Sequence, residues 1–231
     1  MPLKNRKIIV TGGPTREWID PVRYISNASS GKMGIALAEA AAARSKQTVF
    51  IHGPIDNSLL TDKRFRSVQV ETTNDLLNAV INELTPDCII IMAAAPADYR
   101  PAERSSTKIK KEDGNDELIL KLTKNPDILK FIAEKKTRDA SLSGIFVAGF
   151  AAETDNTENN ALKKLIAKNL DMICLNDVTQ KDAGFGTDTN LITIFIRNKK
   201  GNDSANKIDL PLLTKPEAAN RILNEIEGEL N

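Results

Sequence analysis

The sequence lacks an excess of charge of either sign, because 32 lysines and arginines nearly balance 31 aspartates and glutamates. This balance gives no indication of nucleic-acid or membrane-surface binding, so we expect any anion to bind at a local cluster of charges. No run approaches the ~18 apolar residues of a membrane helix, and the first residues show no apolar signal region. We therefore expect a soluble, cytoplasmic protein without nucleic-acid or membrane partners.

Cysteine is equally scarce. Cys88 and Cys174 are the two cysteines of the chain, and each lies inside an apolar run, where a buried thiol is more often a small hydrophobe than a ligand or nucleophile. This usage is typical of a reducing compartment. We expect no metal site built from protein ligands.

The common nucleotide-binding fingerprints are missing as well. The segment SSGKMG has no glycine five positions before Gly31, and Met33 stands where a Walker motif has Ser or Thr. Gly12 and Gly13 are followed by proline rather than by the G-x-G-x-x-G pattern of dinucleotide-binding folds. A Tyr-x-x-x-Lys pair of short-chain reductases is also absent. These absences disfavour an NAD(P)-dependent oxidoreductase, which nevertheless stays open as an alternative.

What the chain does contain is a strand, a long loop and a helix within residues 7–44. The strand is predicted at residues 7–11 and the helix at 34–44, and the roughly twenty residues between them far exceed an ordinary βα connection, which is typical of a functional loop. Ser29, Ser30 and Gly31 precede the helix as capping and turn residues. Backbone N–H groups, the two hydroxyls and Lys32 would form an anion site there, unless Lys32 is merely solvated.

Further strands alternate with single helices, which favours right-handed crossovers and a parallel sheet. We predict strands at 7–11, 47–51, 68–70, 88–92, 145–150 and 172–175, helices at 34–44, 75–84, 125–136, 158–168 and after Thr214, and hairpins at 108–124 and 191–210. Asn125 would cap its helix, with Pro126 at the first helical position. The predicted fold is α/β, a Rossmann-like, mainly parallel sheet with helices on both faces plus β-hairpin insertions. It forms one domain, 1–231, with an insertion at about 105–124.

Small and polar residues follow four of these strands, in the motifs GGPTRE, AAAPADYRP, GFAAET and NDV. Ligands of open parallel sheets bind outside the carboxyl ends of the strands, where the strand order reverses. Each motif alone could equally be a packing or turn device. Together they predict a nucleotide- or phosphate-binding edge, of an enzyme or of a non-catalytic nucleotide-binding regulator.

Six segments in order resemble the phosphopantothenoylcysteine synthetase family in its bacterial form: GPTRE…DPVRYISNASSGKMG, AAAPADYRP, KIKK at 108–111, LTKNPDIL at 122–129, GFAAET at 149–154 and NDV at 176–178. The resemblance covers nearly the whole chain. It implies a phosphopantothenate–cysteine ligase of coenzyme A biosynthesis, which joins 4′-phosphopantothenate to L-cysteine through an acyl-nucleotidylate. In bacteria the family is usually fused to a flavin-dependent decarboxylase, so we expect a free-standing synthetase or an excised domain, with the decarboxylase as a separate partner.

The resemblance also assigns roles to residues. Asn27 would be catalytic, donating a hydrogen bond to the acyl carbonyl, with an ordinary turn residue as the alternative. Ser29, Ser30, Gly31 and Lys32 would bind the phosphate of phosphopantothenate. The nucleotide would be bound by Met92, Ala93, Ala94, Asp98, Lys108, Pro126, Asp127, Ile128, Leu129, Phe150, Lys164 and Lys168. Lys164 and Lys168 share one helix face at i, i+4, and a solvated face is the other interpretation of that spacing.

The implied co-substrate is CTP, favoured over ATP, with Mg²⁺ as its counter-ion. A homodimer is implied, with active-site residues borrowed from the second subunit. The polar segment 110–116 is our candidate for a flap that orders over substrate. Pro96 departs from the aliphatic residue found in many relatives and stiffens the loop that leads to Asp98.

Overall fold

The computed structural model describes residues 3–110, 117–153, 156–177, 186–198 and 204–231. Its strands are β1 (Ile8–Gly12), β2 (Arg16–Asp20), β3 (Arg23–Ser26), β4 (Thr48–His52), β5 (Arg66–Gln69), β6 (Ile89–Met92), β7 (Tyr99–Pro101), β8 (Leu122–Lys124), β9 (Phe146–Glu153), β10 (Met172–Asp177), β11 (Thr189–Asn190), β12 (Ile192–Arg197), β13 (Ala205–Asp209) and β14 (Leu213–Thr214). Its helices are α1 (Lys32–Ala42), α2 (Thr73–Glu83), α3 (Ile128–Arg138), α4 (Thr157–Ala167) and α5 (Lys215–Glu229). Short 3₁₀ turns lie at Asn57–Leu60 and Ala140–Leu142.

Within the described residues, eight strands form one sheet in the order β13-β12-β10-β9-β6-β1-β4-β5. The six strands from β10 to β5 pair in parallel, and β12 and β13 extend the sheet as an antiparallel hairpin. The strand order reverses between β1 and β6. The predicted fold class is therefore confirmed, and the switch point of the sheet lies between the ends of β1 and β6.

Both faces of the sheet are covered by helices. Alternate residues of β1 point to opposite faces, so Val10 belongs to the apolar cluster that includes Leu37 of α1 and Ile222 of α5, whereas Ile9 belongs to the second apolar cluster. That second cluster receives α2, α3 and α4 through Val80, Ile132 and Leu165. Cys88 and Cys174 are buried and unpaired in these layers, and burial raises the pKa of both thiols. Each acts as a core hydrophobe, as predicted.

Part of the predicted long loop after β1 is a small hairpin, β2–β3, which the sequence analysis missed. Its strands are short and polar, and side-chain contacts hold it in place. The rings of Trp18 and Tyr24 meet edge to face at 5.2 Å, and the buried carboxylate of Glu17 accepts hydrogen bonds from the backbone N–H and hydroxyl of Thr73 at 2.9 and 2.8 Å. Tertiary contacts rather than strand propensity form this hairpin.

The predicted hairpin at 108–124 was wrong in its pairing. Residues 108–110 are not a strand, and β8 pairs antiparallel with β7 instead. Ile109 is held on both sides, because its N–H donates to Asp20 Oδ2 at 3.1 Å and its carbonyl accepts from Arg23 Nη2 at 2.7 Å. Residues 111–116, which include most of the proposed flap, lie outside the described residues.

The start of α3 also differs from the prediction. The helix begins at Ile128, and Asp127 is the N-cap, its carboxylate accepting from the N–H of Lys130. Asn125 does not cap the helix, because its Nδ2 donates to the carbonyl of Ala97 at 2.8 Å. By contrast, Thr214 caps α5 as predicted, in a capping box with Glu217. No helix among the described residues is long and apolar enough to cross a membrane.

Candidate functional site

Hydrogen bonds join the loops that follow β1 and β6 at the switch point. Thr11 Oγ1 accepts from the N–H of Ala94 at 3.1 Å, and Thr15 Oγ1 accepts from the N–H of Ala97 at 2.9 Å. Both threonines are fully buried, so these bonds replace water at backbone groups that would otherwise be unpaired. The GGPT segment and the AAAPA segment therefore form one rigid unit.

Asn27 lies just after β3 and contacts this unit. Its Nδ2 donates to the carbonyl of Pro96 at 3.0 Å, with the carbonyl of Ala95 at 3.4 Å. The preceding Ser26 hydroxyl donates to the carbonyl of Thr15 at 2.8 Å. These contacts fix the Asn27 amide beside the loop after β6, although the residue itself is exposed.

The amino end of α1 reaches the same place because two glycines allow close packing. A Cβ on Gly34 would lie 2.7 Å from the Cα of Gly12, so only glycine permits this approach of helix to strand. Gly31 is the N-cap with φ of 76°, and it has no side-chain cap hydrogen bond. The first N–H groups of α1 are thus left available for an anion, as the helix dipole also favours.

These elements surround a cavity of about 400 Å³ at the carboxyl edge of the sheet. The predicted site residues that line it are Asn27, Ser29, Ser30, Gly31, Lys32, Ala93, Ala94, Phe150 and Lys164. Lining residues that the sequence analysis did not select include Met33, Ala151, Asn176, Gly186, Asn190 and Lys215. The cavity thus joins the predicted phosphate site with part of the predicted nucleotide site.

Other predicted nucleotide residues lie outside the cavity lining. They are Met92, Asp98, Lys108, Pro126, Asp127, Ile128, Leu129 and Lys168. Met92 is buried at the end of β6, whereas Asp98 and Lys108 are exposed. Lys168, the residue after α4, forms a 3.1 Å ion pair with Asp127 at the start of α3. This pair joins α4 to the 126–129 turn.

Lys32 and Lys215 give the cavity its positive charge on the α1 side. Lys32 Nζ lies 2.6 Å from Asp188 Oδ1, and its hydrogen bond and charge lower the pKa of that carboxyl. Lys215 is only 6% exposed, and burial, reinforced by the charge of Lys32, lowers its pKa below the usual value. Sequence reasoning missed Lys215 because it lies more than 180 positions from Lys32 in a polar helix start.

Divalent cations find few suitable ligands in this cavity. Its polar lining consists of amides, hydroxyls and lysines, and no group of three or more His, Cys, Asp or Glu side chains comes together within the described ranges. Mg²⁺ prefers carboxylate and phosphate oxygens, so the residues present fit a cation carried on the phosphates of a nucleotide better than one held by the protein.

A doubly wound α/β sheet with a cationic cavity at its switch point is typical of proteins that bind nucleotides or phosphates. The chain belongs to the family described as the DNA/pantothenate metabolism flavoprotein C-terminal domain, whose model matches residues 3–230. Relatives described as the coenzyme A biosynthesis bifunctional protein CoaBC are 42% identical over 226 residues in Bacillus subtilis and 44% identical over 225 residues in Escherichia coli K12.

These matches cover 97% of this chain and 52% of each relative, so the chain spans about half the length of the curated relatives it matches. A crystal structure of the C-terminal domain of a CoaBC protein superposes with a TM-score of 0.74 at 37% identity. That match covers 99% of this chain and 97% of the other. The similarity therefore extends over nearly the whole C-terminal domain of that structure.

Proposed function

We propose that this chain is a phosphopantothenate–cysteine ligase of coenzyme A biosynthesis. One observation carries the proposal: a single cavity joins an uncapped helix start with Lys32, the Asn27 amide and the Ala93–Ala94 strand end. Two anions, the phosphate of 4′-phosphopantothenate and a nucleotide, can meet in such a cavity. The names of the curated relatives support the same pathway.

In the first proposed step, a carboxylate oxygen of 4′-phosphopantothenate attacks the α-phosphorus of the nucleoside triphosphate. An oxygen–phosphorus bond forms, the bond to the β-phosphate oxygen breaks, and pyrophosphate leaves. Activation is needed because a carboxylate is a poor acceptor for an amine. The product of the step is an acyl-nucleotidylate, which the cavity would hold for the second step.

In the second step, the amine of L-cysteine attacks the acyl carbonyl. The new carbon–nitrogen bond forms, the amine loses a proton, and the nucleoside monophosphate leaves with the electron pair of the broken carbon–oxygen bond. Negative charge builds on the carbonyl oxygen during this attack. Asn27 would donate a hydrogen bond to that oxygen, which is the role a neutral amide can play there.

The remaining roles follow the two ends of the cavity. Ser29, Ser30, Gly31 and Lys32 would bind the phosphate of phosphopantothenate at the start of α1. Ala93, Ala94, Phe150 and Lys164 would contact the nucleotide. We assign the rest of the nucleotide contacts to Met92, Asp98, Lys108, Pro126, Asp127, Ile128, Leu129 and Lys168, which the family resemblance selects.

The proposal includes CTP as the preferred nucleotide, Mg²⁺ on its phosphates, and a cytoplasmic homodimer. The dimer is supported by exposed large apolar side chains on two of the three small two-stranded sheets, namely Val22 and Tyr24 on the β2–β3 sheet and Tyr99 and Leu122 on the β7–β8 sheet. The curated relatives are described as bifunctional. We therefore propose that decarboxylation of the product is performed by a partner domain or a separate chain.

The test is pyrophosphate release from CTP and, separately, from ATP, with 4′-phosphopantothenate and Mg²⁺, before and after L-cysteine is added. A stoichiometric burst that becomes steady turnover on addition of cysteine is the expected result, with CTP faster than ATP. Nucleotide binding without release of pyrophosphate from either nucleotide would contradict the proposal and favour a non-catalytic regulator.

A further inference from the structure

The buried ammonium of Lys215 is fully hydrogen-bonded, and all its partners lie on one short segment. Lys215 Nζ donates to the carbonyls of Thr187 and Thr189 and to Asn190 Oδ1, at 2.5, 3.1 and 2.8 Å. Its backbone N–H donates to the carbonyl of Asp188 at 3.0 Å. One residue at the start of α5 therefore holds residues 187–190 through four hydrogen bonds.

This position is costly for a cation. Lys215 is the first residue of α5, where the helix dipole disfavours positive charge, and burial removes the ammonium from water. None of the three acceptors of its ammonium is a carboxylate. An apolar residue at this position would take these three hydrogen bonds away from their acceptors, so the attachment of the 187–190 segment to α5 is the gain that Lys215 provides.

The anchored segment places a carboxylate on Lys32. Asp188 Oδ1 lies 2.6 Å from Lys32 Nζ, and the Asp188 side chain is 86% exposed. Lys32 also lies 3.4 Å from the carbonyl of Gly186. A carboxylate therefore already pairs with the lysine that our proposed function assigns to the substrate phosphate, and that carboxylate is largely exposed to solvent.

We propose that Asp188 is an exchangeable counter-ion of Lys32, positioned by Lys215, and that the phosphate of the substrate replaces its carboxylate at Lys32. The inference rests on the proposed function, because it deepens the phosphate site named there. Lys215 and Asp188 are positioning residues in this arrangement. The exchange keeps Lys32 oriented toward the cavity when no substrate is bound and lets a doubly charged phosphate outcompete a single, solvated carboxylate.

A double-mutant cycle separates replacement of the Asp188 carboxylate at Lys32 from a general repulsion between Asp188 and the substrate phosphate. Binding of 4′-phosphopantothenate, and of inorganic phosphate in parallel, is measured by calorimetry for the wild type, Asp188→Asn, Lys32→Met and the double variant. An ion pair with one exposed partner changes an equilibrium constant roughly twofold to fivefold. We expect Asp188→Asn to bind phosphopantothenate about that much more tightly, and expect no gain in the Lys32→Met background.

Asp209→Asn is the matched control, because Asp209 is also an exposed carboxylate paired with a lysine, Lys207, at 3.3 Å. It does not line the cavity. We expect its binding constant to match that of the wild type. If Asp188→Asn and Asp209→Asn give the same affinity, or if the gain persists without Lys32, the exchange is refuted.

The positioning role of Lys215 is tested by repeating the Asp188→Asn comparison in a Lys215→Met background. Thermal unfolding first establishes that the variant folds, and Asn190→Ala is the milder substitute if it does not. We expect the gain from Asp188→Asn to fall to within about 1.5-fold once the anchor is weakened. A merely structural role of Lys215 would lower stability and leave that gain unchanged, which would refute the positioning role.

The two proposals can fail separately. Tight phosphopantothenate binding with the expected cycle, but without pyrophosphate release, would support the exchange and overturn the ligase. Ligation by the wild type with no effect of Asp188→Asn on binding would support the ligase and overturn the exchange. If neither phosphopantothenate nor inorganic phosphate binds the wild type, the phosphate site and the exchange are both refuted.

Discussion

Replacing Gly34 by alanine tests whether the close approach of α1 to β1 builds the anion site. The new Cβ would lie 2.7 Å from the Cα of Gly12, 3.0 Å from the carbonyl oxygen of Thr11 and 3.1 Å from the ring of Phe50. Carbon atoms in contact ordinarily lie about 3.5–4.0 Å apart, so the helix must move away by about 1 Å. Two of the three contacts are with backbone atoms, which cannot relieve the clash by changing a side-chain rotamer.

The energetic effect is a difference of two terms. Overpacking of this kind lowers the free energy of unfolding by about 1–3 kcal/mol, whereas replacing glycine by alanine inside a helix raises it by about 1 kcal/mol. We therefore expect Gly34→Ala to lower the free energy of unfolding by up to about 2 kcal/mol. Gly228→Ala is the matched control, because Gly228 lies in α5 and its added Cβ would meet nothing within 4 Å. That variant should gain about 0.5–1 kcal/mol.

Urea unfolding measures both variants, and ligase turnover measures the consequence for the site. Since a 1 Å misplacement of binding groups can be very costly, Gly34→Ala should lose about tenfold or more in kcat/KM for phosphopantothenate while still folded. Gly228→Ala should retain wild-type turnover. If Gly34→Ala is stabilised as much as Gly228→Ala, or keeps full turnover, the close helix–strand contact does not build the site.

Three further predictions concern single side chains. Asn27→Asp should fold and bind nucleotide but lose about 10²–10³ in product formation, and normal turnover would remove Asn27 from the mechanism. Lys164→Met should raise the nucleotide KM about tenfold, whereas its exposed neighbour Lys163→Met should change it less than about twofold; equal effects would refute a phosphate role for Lys164. Burial would raise the pKa of Asp20, but hydrogen bonds from Val22, Arg23 and Ile109 outweigh it and lower the pKa to about 2. Folding thus stabilises the charged Asp20 carboxylate, and this contribution to the free energy of unfolding should be present above about pH 4 and lost as the pH falls toward 2. In urea unfolding over this range, the wild type should therefore lose more stability than Asp20→Asn. Equal losses in the two proteins would contradict this role of Asp20.

The strands of the central sheet could be predicted because burial on both faces of a strand requires a continuous apolar run, which is visible in the sequence. The apolar runs at 7–11 and 88–92 match β1 and β6 to within one residue at each end. Both strands lie between neighbours on either side and are covered by helices on both faces, so every residue is apolar, small or buried. A glycine or proline close to the end of the apolar run then indicates where the strand ends.

The small hairpins could not be predicted in the same way. β7 pairs with β8 across the twenty residues 102–121, and no local pattern in 108–124 indicates a partner at residues 99–101. Likewise, Asn125 and Asp127 are both good capping residues, and the choice between them is decided by the distant carbonyl of Ala97, which takes the Asn125 side chain. Tertiary hydrogen bonds decided both cases.

The candidate site likewise contains residues that the sequence could predict and residues that it could not. Asn27 and Ser29 to Lys32 stand in one segment with a recognisable pattern, and they line the cavity. Lys215 and Asp188 come from segments whose sequence suggests only a helix start and a polar loop, and the fold of the chain carries them to Lys32. Their contribution follows from burial and distance, which a sequence pattern does not contain.

The central claim is that the carboxylate of 4′-phosphopantothenate attacks the α-phosphorus of the nucleotide. Phosphopantothenate labelled with ¹⁸O in its carboxylate tests it directly, with mass spectrometry of the nucleoside monophosphate formed during turnover with cysteine. The account predicts one ¹⁸O atom transferred to the phosphate of the monophosphate. Product formation with unlabelled monophosphate, or with label in inorganic phosphate instead, would contradict it.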